Sequence, residues 1–366
     1  MSYEGNIYDY IVESSTCISQ IVNNHVEILK DAVDYFLNND IEQVYFVGTG
    51  TSQHANIASR KIVEKLLKMP VYVIDGVEFC DTTIYNKKTL VISSSHGGQS
   101  TSSIKGLEKA KNEGLKTISS TATHNSEITK YSDKVIYCEI GEEDAGPKTK
   151  GYQCAIVTNI LFALEVATKK GNITAKEKQD YIARILKTSN NIPNIAKATD
   201  EWYKKSAAEL LKCRRLVIIG YDNNIATYME ATLKILEAVR YSVTGYELDH
   251  FMHGIYHSIW EDDYMFYIGS KGAGYTKMLK MKKYFDDNRK SHNFIFTSDK
   301  NQNNDKNFIF DFIDDEELSF LEYIIPFQVI TTRLSFDLGI NANIPSDPYF
   351  HEKMGSYMGF EPISNI

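Results

Sequence analysis

The chain has 366 residues, of which 43% are hydrophobic and 24% are charged, and its formal net charge is −8. This composition is ordinary for a soluble globular protein, and the length suits two α/β domains. The negative charge argues against a nucleic-acid-binding protein, and five scattered cysteines without a C-x-x-C pair predict neither a disulfide framework nor a zinc site.

Two features predict a cytoplasmic protein that does not span a membrane. Residues 1–9 are polar, so we expect no signal peptide there. The longest apolar stretch, 155–167, is interrupted by Thr158, Asn159 and Glu165 and is too short to cross a bilayer. This stretch is therefore predicted to be a core helix.

The first half of the chain alternates predicted strands with predicted helices. Apolar residues at helical spacing predict an N-terminal helix over 15–38. Short apolar runs then predict strands at 44–47, 71–74, 89–93, 115–119 and 135–138. A polar loop over 142–150 leads into the core helix of 152–168. This alternation predicts a doubly wound, mostly parallel sheet.

The second half repeats this pattern weakly, after a probable connector around 192–194. Its strand candidates are 216–220, 264–268, 294–297 and 308–312. We therefore predict two α/β domains, over residues 1–190 and 200–366. The phosphate-binding loops are expected in the first domain and the acid/base residues in the second.

The stretch around which the first half is organised is a strand that runs into a glycine turn and a helix. Residues 44–47 are apolar, Gly48 and Gly50 permit a sharp turn, and Thr51 and Ser52 provide hydroxyls where a helix begins. Helix N-termini have unpaired N–H groups and a positive dipole end. The pattern predicts an anion site, with phosphate as the favoured anion.

Two other interpretations of the same turn remain open. A dinucleotide-binding fold also places G-x-G after its first strand, and Asp75 after the second strand could hold a ribose. However, Gln53 stands where that fingerprint has its third glycine. The turn could also be purely structural.

A second polar loop favours the phosphate hypothesis. Residues 93–103 contain six serines, one threonine and two adjacent glycines, again between a strand and a helix. Loops from neighbouring parallel strands meet at the carboxyl edge of the sheet, where ligands bind. Hydroxyl and N–H groups without a fixed cation suit a small phosphate ester. The alternative is a flexible serine-rich surface loop.

Candidate acid/base groups lie in the second half. Over 225–237, Glu230, Lys234 and Glu237 share one helix face, either as a solvated stripe of ion pairs or with Glu237 as a proton carrier. A histidine cluster follows, at His250, His253 and His257. It lacks a zinc signature, so we favour His253 as an acid/base group over a metal site.

These motifs, taken in order, resemble the tandem sugar-isomerase (SIS) domain family, in particular the isomerase portion of glucosamine-6-phosphate synthase and the fructosamine-6-phosphate deglycases. Residues 50–52 match the family's first phosphate loop and 95–100 match its S-x-S-G-x-T loop. The loop over 148–150 lies where the family has Ser-Thr-Lys. The resemblance implies two SIS-type domains and phosphate binding by Gly50, Thr51, Ser52, Ser95, His96, Gly97 and Ser100.

The resemblance also implies catalytic roles in the second half. The segment 233–237 (Leu-Lys-Ile-Leu-Glu) resembles the family's Leu-Lys-Leu-Lys-Glu, which makes Lys234 a catalytic candidate and Glu237 the carrier of a proton between C1 and C2. His253 matches the histidine of the family's Lys-His-Gly and would assist ring opening. Lys353, five residues after Pro348, resembles the lysine that forms an imine with the ketose.

Several departures from the family pattern bear on activity. His96 stands where glutamine is common, and Gly97 replaces the second serine of the phosphate loop. Met252 replaces the lysine before His-Gly, and Ile255 the proline after it. We expect no glutaminase portion in addition to the SIS-type domains, and therefore no glutamine-dependent amination.

The resemblance therefore implies an isomerase, deaminase or deglycase acting on a ketose or amino-sugar 6-phosphate. It also implies a homodimer with sites near the subunit interface and no metal or organic cofactor. The alternative from another class is a non-catalytic phosphosugar-binding regulator.

Overall fold

The computed structural model describes residues 6–359. The polar N-terminal stretch of 1–9 and the outer ends of the two predicted domains, at residues 1 and 366, extend outside the described residues. The helices and strands of the first half are α1 (Ile7–Ile28), α2 (Lys30–Leu37), β1 (Gln43–Val47), α3 (Thr51–Leu67), β2 (Val71–Ile74), α4 (Gly76–Asp81), β3 (Thr89–Ser94), α5 (Thr101–Asn112), β4 (Lys116–Thr121), β5 (Lys134–Tyr137), α6 (Lys150–Lys169) and α7 (Ala175–Ser189).

The second half has a similar alternation. Its elements are α8 (Ile192–Leu210), β6 (Arg215–Gly220), α9 (Ile225–Lys234), a π-helical turn (Ile235–Val239), β7 (Ser242–Glu247), α10 (Leu248–Met252), β8 (Tyr264–Gly269), α11 (Tyr275–Asn288), β9 (His292–Thr297), β10 (Phe308–Ile309), α12 (Phe320–Asp337) and α13 (Phe350–Met354). Short 3-10 turns lie at Glu127–Tyr131, Asp222–Asn224, Ile255–Ser258 and Lys300–Gln302.

Two five-stranded parallel sheets form the framework, which confirms the predicted fold class. The strand orders are β2-β1-β3-β4-β5 and β7-β6-β8-β9-β10, so the two sheets share one topology. Every strand pair is parallel. In such sheets the strand order reverses between the first and third strands, and the loops that leave these strands diverge and open a crevice. The topology therefore places the β1 and β3 loops on either side of one crevice.

One hydrophobic core runs through both halves. Helix α6 packs against α1 and α3, and α12 packs against α1, α8 and α9. Among the described helices, α6 alone is long and apolar enough to cross a membrane, and most of it is buried inside the protein. The prediction of a core helix over 152–168 is therefore confirmed.

Several predicted elements differ from the observed ones. The single helix predicted over 15–38 is two helices that break at Leu29, and both pack against α6. The predicted connector at 192–194 is the first turn of α8, where Pro193 is tolerated because first-turn N–H groups have no partner within the helix. Of the strand predicted over 308–312, only the first two residues pair with β9.

Helix α12 has no counterpart in the predicted elements. It is buried on nearly all sides, so its apolar residues form no stripe at helical spacing, and it contains Pro326 in its interior. Periodicity identifies helices that have a polar face, and α12 does not have one.

Candidate functional site

A small pocket lies in the crevice between the β1 and β3 loops. Five segments line it: the N-terminal half of α3, the loop after β3, the end of β4, Cys138 after β5 and the N-terminal half of α6. Its polar lining comprises Thr51, Ser52, Asn56, Ser94, Ser95, His96, Ser120, Thr121, Tyr152 and Asn159. The structure thus brings the two predicted phosphate loops to one place.

Ser120 and Thr121 line the pocket but are absent from the predicted site. They end β4, which pairs with β3, so their hydroxyls lie at the same sheet edge as the β3 loop. The sequence carries a signal for them, because the apolar positions of the predicted strand over 115–119 give way to Ser-Ser-Thr. Polar residues at the end of a parallel strand indicate a site at that edge.

The first turn of α3 presents backbone N–H groups to the pocket. Gly50 has φ 59°, a left-handed conformation that favours glycine, and it reverses the chain between β1 and α3. The hydroxyl of Thr51 donates to Glu230 Oε1 at 3.1 Å, so this hydroxyl already has a partner in the second half of the chain. The backbone of this turn and the Ser52 hydroxyl are therefore the groups that a ligand would contact.

The loop after β3 is held in a defined conformation by its own hydrogen bonds. Ser95 N–H donates to the carbonyl of Ser120 at 2.9 Å, and Gly98 N–H donates to the carbonyl of Ser95 at 3.0 Å. The N–H of Ser100 donates to Ser95 Oγ at 3.3 Å. These bonds order the loop and argue against the flexible surface loop that was the alternative.

The two glycines of this loop should differ sharply when replaced by alanine. Gly98 has φ 71°, and a Cβ there would lie 2.0 Å from Ser126 Oγ, whereas a Cβ at Gly97 meets nothing within 4 Å. We expect Gly98→Ala to lower the free energy of unfolding by about 1–3 kcal/mol, from the strained backbone alone. Gly97→Ala is the matched control and should leave it unchanged. Urea unfolding of both variants measures this, and equal effects would contradict the described loop conformation.

Glu143 occupies the N-terminus of α6. Its carboxylate accepts hydrogen bonds from the N–H groups of Thr149 at 2.6 Å, Lys150 at 2.9 Å and Gly151 at 3.0 Å. These N–H groups would otherwise be available to an anion. The protein's own carboxylate therefore takes the place of a ligand at this helix, and the α3 terminus remains for the phosphate.

His96 packs against the same helix end. Its Nε2 lies 3.8 Å from Glu143 Oε2, and its ring fills the space that a side chain at Gly151 would need. Burial lowers the pKa of His96 to about 4, although Glu143 acts in the opposite direction. The imidazole is therefore neutral at neutral pH, and it can face the pocket as a hydrogen-bonding group without a charge.

Acidification should reveal this neutral histidine. Because the folded pKa of His96 is below the ordinary value of 6.5, the unfolded chain takes up the proton first. The contribution of the neutral imidazole to the free energy of unfolding is fully present above pH 6.5 and is lost as the pH falls towards 4. We expect His96→Gln to lose less stability than the parent between pH 7 and 4.5 in urea unfolding. Parallel curves for His96→Gln and the parent would contradict the prediction.

A chain of buried charged groups connects the pocket with Glu237. His54 Nδ1 lies 2.7 Å from Glu230 Oε2, and Lys234 Nζ lies 3.4 Å from Glu230 Oε1 and 2.8 Å from Glu237 Oε2. Burial would lower the pKa of Lys234, but the two carboxylates outweigh it and raise the pKa above its ordinary value. Lys234 is therefore a charged ammonium, held at the inner side of Glu237.

The Glu237 side chain is 40% exposed, unlike its two buried neighbours. Helix α9 ends at Lys234, and Glu237 sits in the π-helical turn that follows. Such turns widen a helix by one residue and occur often at functional sites. The three side chains do form ion pairs, but the interpretation as a solvated stripe is wrong, because Glu230 and Lys234 are buried and only Glu237 is open to solvent.

The other two predicted catalytic residues lie on exposed segments. His253 follows α10 in an exposed turn. Lys353 lies in α13, and its amine contacts Asp347 at 2.9 Å. A different lysine, Lys148, is less exposed than Lys353. Its amine donates to the carbonyl of Glu143 at 2.6 Å, and burial lowers the pKa of Lys148. Within residues 6–359, neither His253 nor Lys353 forms a hydrogen bond or an ion pair with a residue that lines the pocket.

The equivalent crevice of the second sheet is filled by the protein. The Tyr221 hydroxyl donates to the carbonyl of Ser270, and its ring lies where a side chain at Gly274 would stand. Asn224 donates to Ser270 Oγ at 3.0 Å. Both loops of this crevice are therefore bonded to each other, which leaves the first crevice as the candidate site.

The structure also bears on the dinucleotide alternative. Asp75 Oδ1 caps α4 by accepting from Val77 N–H at 2.8 Å, and Oδ2 accepts from the Thr49 hydroxyl at 3.0 Å. Both carboxylate oxygens therefore already accept one hydrogen bond within the fold, which gives Asp75 a structural role as a helix cap.

The chain thus has two α/β units of the same sheet topology, with a small pocket at the crevice of the first sheet. Residues 39–167 match the SIS domain family. The chain is 27% identical over 262 residues to the glutamine–fructose-6-phosphate aminotransferase [isomerizing] of Caldanaerobacter subterraneus subsp. tengcongensis, covering 71% of this chain and 42% of that protein. It thus spans about two fifths of the length of such curated relatives.

Solved structures match over nearly the whole chain. A candidate phosphosugar isomerase of Clostridium difficile 630 is 28% identical, with TM-score 0.88, covering 96% of this chain and 99% of that one. The C-terminal domain of glucosamine-fructose-6-phosphate aminotransferase from Francisella tularensis has TM-score 0.84 at 17% identity, covering 94% and 99%, and shows the shared fold. The chain thus contains a SIS domain over residues 39–167, and it is homologous to the isomerase portion of the aminotransferase of Caldanaerobacter subterraneus.

Proposed function

We propose that the protein is a phosphosugar enzyme that moves a proton between C1 and C2 of a ketose or amino-sugar 6-phosphate. The net reaction is aldose–ketose isomerisation, deamination or deglycation. The crevice holds the phosphate through Ser52, Ser95, Ser100 and nearby N–H groups. Holding that end of the substrate positions the other end for chemistry.

The observation that carries the proposal is the connection between the phosphate pocket and Glu237. Thr51 and His54, from the first turn of α3, bind Glu230, which pairs with Lys234, which pairs with Glu237. Of the three paired residues Glu230, Lys234 and Glu237, only Glu237 is open to solvent. A carboxylate that is exposed on one side and paired with a buried ammonium on the other is a suitable proton carrier.

The relatives support the same class of substrate. The names of the relatives described above include fructose 6-phosphate and phosphosugar isomerisation. A glutamine-dependent reaction is not part of the proposal. Homodimerisation, the use of His253 near a neighbouring subunit's site, imine formation by Lys353 and independence from metals and organic cofactors remain predictions from the resemblance.

Proton exchange in D₂O tests the proposal directly. The protein is mixed separately with fructose 6-phosphate, glucosamine 6-phosphate and a fructosamine 6-phosphate, and NMR follows deuterium at C1 and C2 and loss of the amine. We expect exchange with at least one of them, and the sugar that exchanges identifies the substrate class. Absence of binding by all three would contradict the phosphate assignment.

The second candidate function is a phosphosugar-binding regulator. The well-ordered pocket would serve binding alone equally well, which keeps this candidate open. Binding without exchange of any of the three sugars, retained in Glu237→Gln, would favour the regulator.

A further inference from the structure

A row of hydroxyl groups connects three loops at the carboxyl edge of the first sheet. Asp75, which follows β2, accepts a hydrogen bond at Oδ2 from the hydroxyl of Thr49, which follows β1, at 3.0 Å. The Thr49 hydroxyl oxygen lies 3.1 Å from Ser102 Oγ, and Ser102 Oγ lies 3.2 Å from Ser100 Oγ. We call Thr49, Ser102 and Ser100 the hydroxyl row. The row begins at the Asp75 carboxylate and ends at Ser100, which is one of the predicted phosphate ligands.

The loops pack closely enough to keep these distances short. Gly76 lies against the backbone of Ser102, and a Cβ at Gly76 would lie 2.7 Å from the Ser102 carbonyl carbon. The absence of a side chain therefore lets the first turn of α5 approach the loop after β2. The carboxylate of Asp75 is also fixed in orientation, because its Oδ1 accepts a hydrogen bond from Val77 N–H at 2.8 Å and caps α4. Its Oδ2 is thereby left to face Thr49.

The Asp75 carboxylate determines the direction of the hydrogen bonds in the row. A carboxylate only accepts hydrogen bonds, whereas a hydroxyl has one proton to donate and two lone pairs that accept. Thr49 donates its proton to Asp75, so it can only accept from Ser102. Ser102 then donates to Thr49 and can only accept from Ser100. The hydroxyl proton of Ser100 is therefore directed along the row to Ser102.

Ser100 lies next to the pocket. Its N–H donates to Ser95 Oγ at 3.3 Å, and Ser95 lines the pocket. The oxygen atoms of a phosphate group accept hydrogen bonds, so donors hold the group in place. A Ser100 hydroxyl that donates to Ser102 offers a phosphate only its lone pairs. It must give up the hydrogen bond to Ser102 before it can donate to a phosphate oxygen.

From this geometry we propose that Asp75 is a positioning residue of the phosphate site, which acts through Thr49 and Ser102 to direct the Ser100 proton away from the ligand and so limits the affinity for phosphate. The proposal rests on the proposed function and deepens it. The backbone N–H groups and the other serines of the crevice hold the phosphate, and Ser100 joins them only at the cost of its hydrogen bond to Ser102.

Replacing Asp75 by asparagine should reverse the row and keep the helix cap. Asparagine is a good N-cap residue, so its Oδ1 still accepts from Val77 N–H, and its amide group then faces Thr49 as a donor. Thr49 donates to Ser102, Ser102 donates to Ser100, and the Ser100 proton becomes available to the ligand. We expect calorimetry to show that Asp75→Asn binds inorganic phosphate about three- to tenfold more tightly than the parent, the effect of one hydrogen bond.

Loss of a negative charge would by itself also tighten anion binding, and Ser102→Ala separates the two effects. This variant keeps every charge but removes the acceptor of the Ser100 proton, so we expect it to tighten phosphate binding by a similar factor. Adding Asp75→Asn to Ser102→Ala should change the affinity by less than about twofold, because the row is already cut. An unchanged affinity in Ser102→Ala, or an equal gain from Asp75→Asn with and without Ser102, would overturn the proposal.

Kinetics with the sugar phosphate that exchanges give a second readout. Both single variants should lower KM about three- to tenfold and leave kcat within about twofold of the parent, because the phosphate is held equally in the ground state and the transition state. A fall in kcat with unchanged KM would mean that Asp75 only supports the fold of the loops, and would contradict the proposal.

Failure of the proposed function and failure of this inference are distinguishable. If no sugar phosphate binds to the parent protein, the proposed function fails and this inference with it. If the parent binds and exchanges a sugar phosphate but neither variant binds it more tightly, only the role of Asp75 fails.

Discussion

Replacing Glu237 by glutamine is expected to slow proton exchange between C1 and C2 by about 10²–10⁴-fold, the usual contribution of a positioned general acid or base. The amide has nearly the same shape but cannot accept and return the proton. Lys234 keeps Glu230 as a partner, and the Glu237 side chain is 40% exposed, so the fold should tolerate the change. The loss should therefore appear in kcat, with sugar phosphate binding retained.

The measurement is deuterium incorporation by NMR, with binding followed by calorimetry on the same samples. Glu64→Gln provides the control, because Glu64 is an exposed residue of α3 paired with Arg60. It should exchange at the parent rate. Exchange by Glu237→Gln within tenfold of the parent would remove Glu237 from the reaction and leave the phosphate pocket assignment intact.

Replacing Glu230 by glutamine is expected to cost about 3–5 kcal/mol of unfolding free energy, the usual effect of removing one partner from a buried ion pair. Glu230 is fully buried and has Thr51, His54 and Lys234 as partners. Burial alone would raise its pKa, but Lys234 and His54 lower it below the ordinary value. The stabilisation is therefore present at neutral pH and is lost as the pH falls below the ordinary carboxyl range.

Urea unfolding at pH 7 and at acidic pH measures this effect. Adding Lys234→Met to Glu230→Gln should recover part of the loss, because the double variant no longer buries an ammonium next to an amide. Replacing the exposed Lys30, which pairs with Asp34, should have no measurable effect. A loss below 1 kcal/mol for Glu230→Gln would show that the buried contacts of Glu230 with His54 and Lys234 do not stabilise the contact between the two halves.

Local patterns were sufficient for most of the framework. Runs such as Val44–Val47 and Leu216–Gly220 are strands because β-branched residues between turn signals suit a buried parallel strand. The weak repeat between the halves corresponds to two sheets of the same strand order. Helix α12 could not be predicted in this way, because a helix buried on nearly all sides leaves no periodic signal.

The site could be predicted only in part, for a different reason. Ser52 and Ser95 follow strand ends, and the rule that ligands bind at the carboxyl edge of a parallel sheet predicts that they lie together, as they do in the pocket. The role of Thr51 could not be predicted, because its hydroxyl binds Glu230, 179 positions away in the chain. Nor could the sequence show that Glu143 occupies the α6 terminus or that Tyr221 fills the second crevice.

The sequence by itself determined the fold class, because strands and helices depend on residues that are neighbours in the chain. It also offered two candidate phosphate loops and, through the family resemblance, Glu237 as a candidate proton carrier. The tertiary structure decided which of these groups remain available to a ligand. Hydrogen bonds withdraw the Thr51 hydroxyl, which binds Glu230, and the N–H groups of the first turn of α6, which bind Glu143. Such pairings depend on how the segments pack in three dimensions, and no local pattern encodes them.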